Sequence, residues 1–262
     1  MGIDWRASKE EWIDRVRAEL LPGLTSDPRF ADAERVVERF EKAVAAWQIS
    51  DDFRQIVHDA NELCGAAEIL RDLGSEDRLL YEPRLRATSK SIDFFVQRVD
   101  GKHCWIDVKT VAPEWQHDDV AWERVLQIAT AVPANTNLVL DPNYAGAVLG
   151  RQMINARWSF VQRAIEVEAK ITLLTEAERG PVWLLFCSNG AWREDALEDF
   201  ATFYWTGRFR ADDWAKNAIT LYMVERNLRF ARTLTGFCYL ERRQDEVRVR
   251  KFTIGVEGPG ES

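Results

Sequence analysis

Residues 91–110, SIDFFVQRVDGKHCWIDVKT, contain two apolar strands around a polar turn. Asp93 lies in the first strand, Asp107 lies in the second, and Lys109 follows two residues later. A charge is costly to bury on a face that packs inward. We therefore expect these side chains either to be solvated or to be held together for a purpose.

Two turns fit this hairpin. A two-residue Asp-Gly turn would set Asp93 opposite Val108, and Asp107 would face away. A three-residue loop that ends in Gly101, a type I turn closed by a glycine bulge, would set Asp93 directly opposite Asp107. Because side chains alternate along a strand, Lys109 would then share the face of both carboxylates. We favour the longer loop, although Asp-Gly also suits the shorter one. The opposite face would carry the apolar side chains Ile92, Phe94, Ile106 and Val108.

With the longer loop, the carboxylates of Asp93 and Asp107 face each other on the paired strands, and this arrangement suggests a cation site. Like charges on paired strands repel by about 0.2–1 kcal/mol, and a cation between them removes that repulsion. Few oxygen ligands, with positions left for water or phosphate, suit Mg²⁺ better than zinc or a closed calcium cage. The hairpin therefore predicts a Mg²⁺ site, with Mn²⁺ as a possible substitute.

The helix predicted over residues 53–73 offers a third acid. Its apolar face is built by Ile56, Ala60, Leu63, Ala67 and Leu70. Glu62 falls at the margin of this face, whereas Glu68 falls on the polar side. We expect Glu62 to point inward and Glu68 to be solvated.

The order of these motifs resembles the PD-(D/E)XK nuclease superfamily, which has the restriction-endonuclease-like fold. Asp93 matches the acid of the PD half, although Ser91-Ile92 stands where the proline would be. Asp107 and Lys109 match the (D/E)XK half, and Glu62 matches the acid often supplied by the first core helix. The likeness covers this helix and the hairpin, and the later strands carry no diagnostic motif.

The resemblance implies a Mg²⁺-dependent endonuclease that hydrolyses phosphodiester bonds of nucleic acid, in restriction, defence or repair. DNA is favoured as the substrate, and the sequence leaves RNA open. The resemblance implies metal ligands from Asp93, Asp107 and the carbonyl of Val108. Glu62 would bind a second metal ion or its water. Lys109 would orient the attacking water and stabilise the charged transition state.

Similar enzymes often add one polar residue from the helix after the lysine strand. Gln127, Gln152 and Lys170 are candidates, and the sequence does not choose among them. Lys170 also follows Glu166 by four residues, which is most simply a surface ion pair on one helix.

The remaining chain predicts a mixed α/β architecture, a central sheet flanked by helices. We divide it into a helical N-terminal extension (1–50), a PD-(D/E)XK nuclease-like domain (51–257) and a flexible tail (258–262). Helices are predicted over residues 150–174 and 194–207, and strands over residues 182–187, 218–225, 236–243 and 247–254.

The formal charge of −8 excludes a generally basic nucleic-acid coat but allows a local basic patch. Arg84, Arg86 and Lys90 lie beside the predicted site and are candidate phosphate contacts, or an ordinary solvated strand face. The same holds for the last hairpin, with Arg242, Arg243, Arg248, Arg250 and Lys251.

The sequence shows no zinc-type Cys/His spacing, and its four cysteines are predicted as buried thiols. It shows no apolar run long enough to span a bilayer and no signal-peptide hydrophobic region. We expect a cytoplasmic protein with no membrane partner.

Two other functions stay open. The fold could serve as a catalytically inactive nucleic-acid-binding domain, or as a protein-interaction domain. The helical residues 1–50 could be a contact surface for a protein partner, a homodimerisation arm or a helical cap.

Overall fold

The computed structural model describes residues 5–50, 53–83, 85, 91–111, 142–188, 194–208, 213–242 and 246–257. The helices in the described residues are α1 (Trp5–Glu19), α2 (Leu21–Ser26), α3 (Ala33–Ser50), α4 (Arg54–Asp72), α5 (Pro142–Ile171), α6 (Glu194–Thr206) and α7 (Asp213–Glu225). The strands are β1 (Arg78–Tyr81), β2 (Phe94–Gln97), β3 (His103–Val111), β4 (Val182–Ser188), β5 (Gly236–Glu241) and β6 (Lys251–Glu257).

The six strands form one mixed sheet in the order β1-β2-β3-β4-β5-β6. The pairs β1/β2, β2/β3 and β5/β6 are antiparallel, whereas β3/β4 and β4/β5 are parallel. Parallel neighbours need long connections, and α5 lies between β3 and β4, while α6 and α7 lie between β4 and β5. The predicted α/β class is confirmed, and the finer restriction-endonuclease-like fold stays a prediction.

The sheet separates two hydrophobic cores. The first contains buried side chains of α1–α4, among them Trp12, Phe40 and Leu63, packed on one face of the sheet against residues such as Val108 of β3. The second contains side chains of α5–α7 on the opposite face. Since α1–α3 share a core with α4 and β3, the N-terminal helices pack into the same body as the sheet. The division at residue 51 stays a prediction, and the tail 258–262 lies outside the described residues. No helix in the described ranges is long and apolar enough to cross a membrane.

The strand predicted over residues 218–225 is wrong, because this segment belongs to helix α7. Ile219 and Met223, one helical turn apart, are both buried in the second core, whereas Leu221 and Val224 are exposed. The burial therefore follows a helical period. Several boundaries also differ, most of all the start of α5, at Pro142 instead of residue 150, and the start of β6, at Lys251 instead of residue 247.

Candidate active site

The turn of the hairpin is the three-residue loop. The amide of Arg98 donates to the carbonyl of Lys102 at 2.8 Å, and the amide of Gly101 donates to the carbonyl of Arg98 at 3.1 Å. Gly101 has a φ of +83°, the left-handed conformation that the glycine bulge needs and other residues rarely adopt. The prediction of the longer loop is confirmed.

This loop sets the register of the two strands. Phe94 pairs with Ile106, so that Asp93, just before β2, is level with Asp107. The oxygen Oδ2 of Asp93 accepts a hydrogen bond from the amide of Val108 at 2.7 Å. The Asp93 carboxylate thus extends the hydrogen bonding between β2 and β3 beyond their last backbone pair, Phe94 with Ile106.

Alternation along β3 sends adjacent residues to opposite faces of the sheet. Val108 lies in the first core with Phe94, as predicted, and Trp105 lies in the second core. Ile92 was predicted on the face of Val108 but packs in the second core. Since Ile92 precedes β2, strand alternation does not govern its direction.

Asp107 is fully buried and contacts two ammonium groups. Lys109 contacts its Oδ1, and Lys170 of α5 lies 2.5 Å from its Oδ2. The Lys109 ammonium also lies 3.3 Å from the carbonyl of Val108. Lys170, one of the three candidates, thus reaches the carboxylate pair, and the predicted surface pair with Glu166 is wrong. Glu166 pairs instead with Arg163.

Burial and neighbouring charges shift the pKa values of Asp93 and Lys109. Burial and the negative charge of Asp107 raise the pKa of Asp93 to about 7, against the opposing effect of the ammonium groups of Lys109 and Lys170. Burial lowers the pKa of Lys109, but the carboxylates of Asp107 and Asp93 outweigh it, so that the net shift is upward. Lys109 therefore remains protonated at neutral pH.

Glu62 points inward, as predicted, but other residues already hold its carboxylate. Its Oε2 accepts a 2.6 Å hydrogen bond from the Tyr81 hydroxyl. Its Oε1 lies 3.1 Å from Nε2 of His58 and 3.4 Å from Nη2 of Arg39. Burial raises the pKa of Glu62, but the hydrogen bond and charge of His58 and the charge of Arg39 outweigh this effect, and the pKa is lowered.

The charge of Glu62 also contributes to the upward shifts in the pKa of Asp93 and of Lys109. The two groups of charges are therefore electrostatically coupled, although Asp107 and Lys109 face α5 whereas Glu62 belongs to α4. The predicted role of Glu62 with a second metal ion stays a prediction.

Glu68 was predicted to be solvated, and this is wrong. Its side chain is 9% exposed and forms an ion pair with Arg71. The apolar face of α4 is wider than the helical wheel suggested, because the helix is covered by α1–α3 as well as by the sheet.

The predicted phosphate contacts Arg84, Arg86 and Lys90 lie outside the described residues, as does Gln127. Gln152 lies in α5, in a part whose side chains are not described. In the last hairpin, Arg242 is fully buried, which excludes it as a direct phosphate contact. Arg243 is also outside the described residues.

A group on α4 could hold a metal ion. His58, Asp59 and Glu62 each offer one ligand atom, and these atoms lie within 4.8 Å of one another. In the part of the chain that the structure describes, Asp93 and Asp107 gain no third His, Cys, Asp or Glu ligand at such distances.

Sequence reasoning missed several residues around Glu62. Arg39 of α3 contacts Asp59, Glu62 and Glu82, and Tyr81 of β1 donates to Glu62. The spacing of His58 and Glu62, four apart on one helix face, was a local signal for their contact. The contact of Arg39 depends on tertiary packing between α3 and α4 and has no such local signal.

No family model, curated protein or solved structure matches this chain. The functional assignment therefore rests on the residues and their geometry.

Proposed function

We propose that this chain is a metal-dependent nuclease that hydrolyses phosphodiester bonds, with DNA as the first substrate to test. One observation carries the proposal: the register of β2 and β3 places Asp93 level with Asp107, and the Lys109 ammonium contacts the Asp107 carboxylate. A register one residue away would separate the two acids onto opposite faces.

The donor set around Asp107 fits a hard divalent cation. The Lys109 ammonium contacts Asp107 and lies 3.3 Å from the Val108 carbonyl, so these oxygens already share one positively charged neighbour. Oδ2 of Asp93 is held by the Val108 amide, while its Oδ1 accepts no hydrogen bond from the residues described. Oxygen-only ligands of this kind suit Mg²⁺ or Mn²⁺.

Asp93, Asp107 and the Val108 carbonyl would hold the metal ion, which when bound lowers the pKa of a ligated water and neutralises charge on the phosphate. Once Asp93 is ionised, its carboxylate and that of Asp107 are matched in number by the ammonium groups of Lys109 and Lys170. The protein groups are thus balanced before the metal binds. The loaded site would be positive and would attract a phosphodiester.

Lys109 acts in this proposal as a hydrogen-bond donor and not as a general base, because its pKa is raised and the amine stays protonated. Its ammonium would orient the attacking water and stabilise the charge that develops on the phosphate. Lys170 holds Oδ2 of Asp107 and is a positioning residue.

The test is cleavage of DNA and RNA, single- and double-stranded, in Mg²⁺, Mn²⁺ or EDTA. Lys109→Ala is expected to lower the cleavage rate by at least about a hundredfold with the protein still folded. Lys102→Ala is the matched control, because Lys102 belongs to the same hairpin but is 83% exposed and pairs only with Asp100 among the described residues. An unchanged rate in the Lys109 variant would falsify the assignment. Binding without cleavage in the wild type would favour an inactive nucleic-acid-binding domain.

A further inference from the structure

The three polar residues His58, Asp59 and Glu62 form a cluster on α4. His58 and Glu62 lie one helical turn apart, and Nε2 of His58 is 3.1 Å from Oε1 of Glu62. Two ligands of one metal ion commonly lie at such a separation, since each metal–ligand bond is about 2 Å long. One ligand atom from Asp59 lies within 4.8 Å of the other two. Only a small side-chain movement would bring all three to one centre.

Each of these three side chains has one polar atom held by a neighbour on the outside of the cluster. Gln55 donates to Oδ1 of Asp59 at 2.7 Å, and Tyr81 donates to Oε2 of Glu62 at 2.6 Å. Nδ1 of His58 lies 3.3 Å from the hydroxyl oxygen of Thr110. The atoms left for a metal are Oδ2 of Asp59, Oε1 of Glu62 and Nε2 of His58. A metal ion would replace the present contact between the last two atoms. Metal ligands are characteristically oriented by such outer partners.

Asp59 gives a separate indication of a missing partner. Its side chain is 1% exposed, and its Oδ2 has no hydrogen-bond partner in the described part of the structure. A buried carboxylate oxygen without a partner destabilises the folded protein, most of all when the group is charged. A cation at the cluster would remove that destabilisation.

The outer support of His58 extends across the sheet. The side-chain amide of Asn61 donates to the Thr110 hydroxyl at 2.8 Å, and Nε of Arg242 donates to the Asn61 carbonyl oxygen at 2.9 Å. Arg242 thereby fixes which way the Asn61 amide points. The position of the Thr110 hydroxyl, and with it the orientation of the His58 ring, is fixed in turn.

Arg39 supplies the positive charge at this cluster. Its Nε lies 3.1 Å from Oδ1 of Asp59, and its Nη2 lies 3.4 Å from Oε1 of Glu62. Its Nη1 has two further partners, the Tyr81 hydroxyl at 2.8 Å and Glu82 at 3.0 Å. The guanidinium can therefore stay docked through Nη1 while a metal ion takes over the two carboxylates.

We propose that His58, Asp59 and Glu62 form a second divalent-cation site, distinct from the Asp93–Asp107 pair and selective for a transition metal such as Mn²⁺ over Mg²⁺. The selectivity follows from the imidazole ligand, which suits transition metals, whereas Mg²⁺ prefers oxygen ligands alone. This site does not depend on the proposed nuclease activity, because its ligands and supports are separate from Asp107 and Lys109.

The test uses the full chain with Asp93→Asn and Asp107→Asn, which removes the proposed catalytic site. We expect this variant to bind one Mn²⁺ by calorimetry, and an equal concentration of Mg²⁺ to fail to displace it. Pulsed electron paramagnetic resonance of the bound Mn²⁺ is expected to show coupling to an imidazole nitrogen. This readout reports the histidine ligand without a further substitution.

Adding His58→Gln to that variant is expected to weaken Mn²⁺ binding at least about tenfold and to remove the nitrogen coupling. His103→Gln is the matched control, because Nε2 of His103 contacts only a backbone carbonyl, that of Arg179, among the described polar groups. Arg39→Gln is expected to tighten Mn²⁺ binding, since the competing internal cation is lost.

Lack of Mn²⁺ binding, absence of the nitrogen coupling, or unchanged affinity in the His58 variant would each overturn this site. None of these results depends on cleavage. Wild-type protein that binds Mn²⁺ through His58 but cuts no nucleic acid would retain the second site and reject the nuclease. Protein that cuts DNA but shows no nitrogen coupling would do the reverse.

Discussion

Replacing Asp93 by Asn is expected to stabilise the metal-free protein, and increasingly so as the pH rises. Asn resembles the protonated carboxyl group and can still accept the hydrogen bond from the Val108 amide. Burial and the charge of Asp107 raise the pKa of Asp93 from its ordinary value of 3.8 to about 7. The folded state therefore binds a proton that the unfolded chain releases between these two values.

The sign follows from proton linkage. Where the folded state binds more protons than the unfolded state, the free energy of unfolding falls as the pH rises. For Asp93 this loss runs from about pH 4 to about pH 7 and then stays constant. Between pH 5 and pH 8 it amounts to about 2–3 kcal/mol, from about 1.4 kcal/mol for each pH unit over most of that interval. The Asp93→Asn variant does not lose this part of its free energy of unfolding, because the Asn side chain does not titrate.

The assay is urea unfolding in EDTA at pH 5, 6, 7 and 8, for the wild type and for Asp93→Asn. The difference in free energy of unfolding should widen in favour of the variant up to about pH 7. Asp100→Asn is the control, because Asp100 lies in the exposed turn and should give no such divergence. Parallel stability curves for the wild type and the Asp93 variant would refute the reasoning.

A saturating metal ion should offset much of the stability advantage of the Asn variant. A ligand that binds only the folded state adds about 2.7 kcal/mol at a free concentration one hundred times its Kd. The wild type should gain this in Mg²⁺ or Mn²⁺, whereas Asp93→Asn should gain less from the ion at the hairpin. An equal gain in both proteins would mean that Asp93 is not a ligand.

A substitution of Lys170 and a deletion in the hairpin loop test the surroundings of the Asp93 and Asp107 carboxylates. Lys170→Met is expected to lower the free energy of unfolding by about 1–3 kcal/mol, since Asp107 loses a charged hydrogen bond. In a double-mutant cycle by urea unfolding, Asp107→Asn with Lys170→Met should lose less than the sum of the single variants, and additive losses would contradict the pairing. Deleting Val99 leaves Asp100-Gly101 as a two-residue turn between the same Arg98–Lys102 pair, so that Asp93 stays level with Asp107. Mg²⁺ binding measured by calorimetry should therefore be retained, as in Val99→Ala, which keeps the length of the loop. Loss of Mg²⁺ binding in a folded deletion variant would contradict the register argument.

The geometry of the hairpin was predictable because its determinants are local. The loop residues and the strand alternation left two registers, and the favoured one, with Gly101 at the bulge, is the one observed. The inward direction of Glu62 could likewise be obtained from the helical wheel. These features depend on residues close together along the chain.

The errors have a common physical origin in tertiary contacts. Lys170 looked like the surface partner of Glu166 until α5 was placed beside β3, where the ammonium meets Asp107. Glu68 is buried because helices packed on α4 cover more than its apolar stripe. The segment 218–225 is rich in apolar and β-branched residues, and only its packing in the second core reveals the helical period.

The alternation of charged and apolar residues along β3 also bears on how the chain finds its fold. A shift of β3 by one residue against its neighbouring strands would turn Asp107 and Lys109 toward the first core, beside α4. The same shift would turn Val108 toward the second core, beside α5–α7. Burying unpaired charges in this way would cost several kcal/mol. Misregistered forms of the sheet should therefore be too unstable to accumulate during folding. The charged side chains of Asp107 and Lys109, which are proposed for catalysis, would then also favour the correct pairing of β3 with its neighbouring strands.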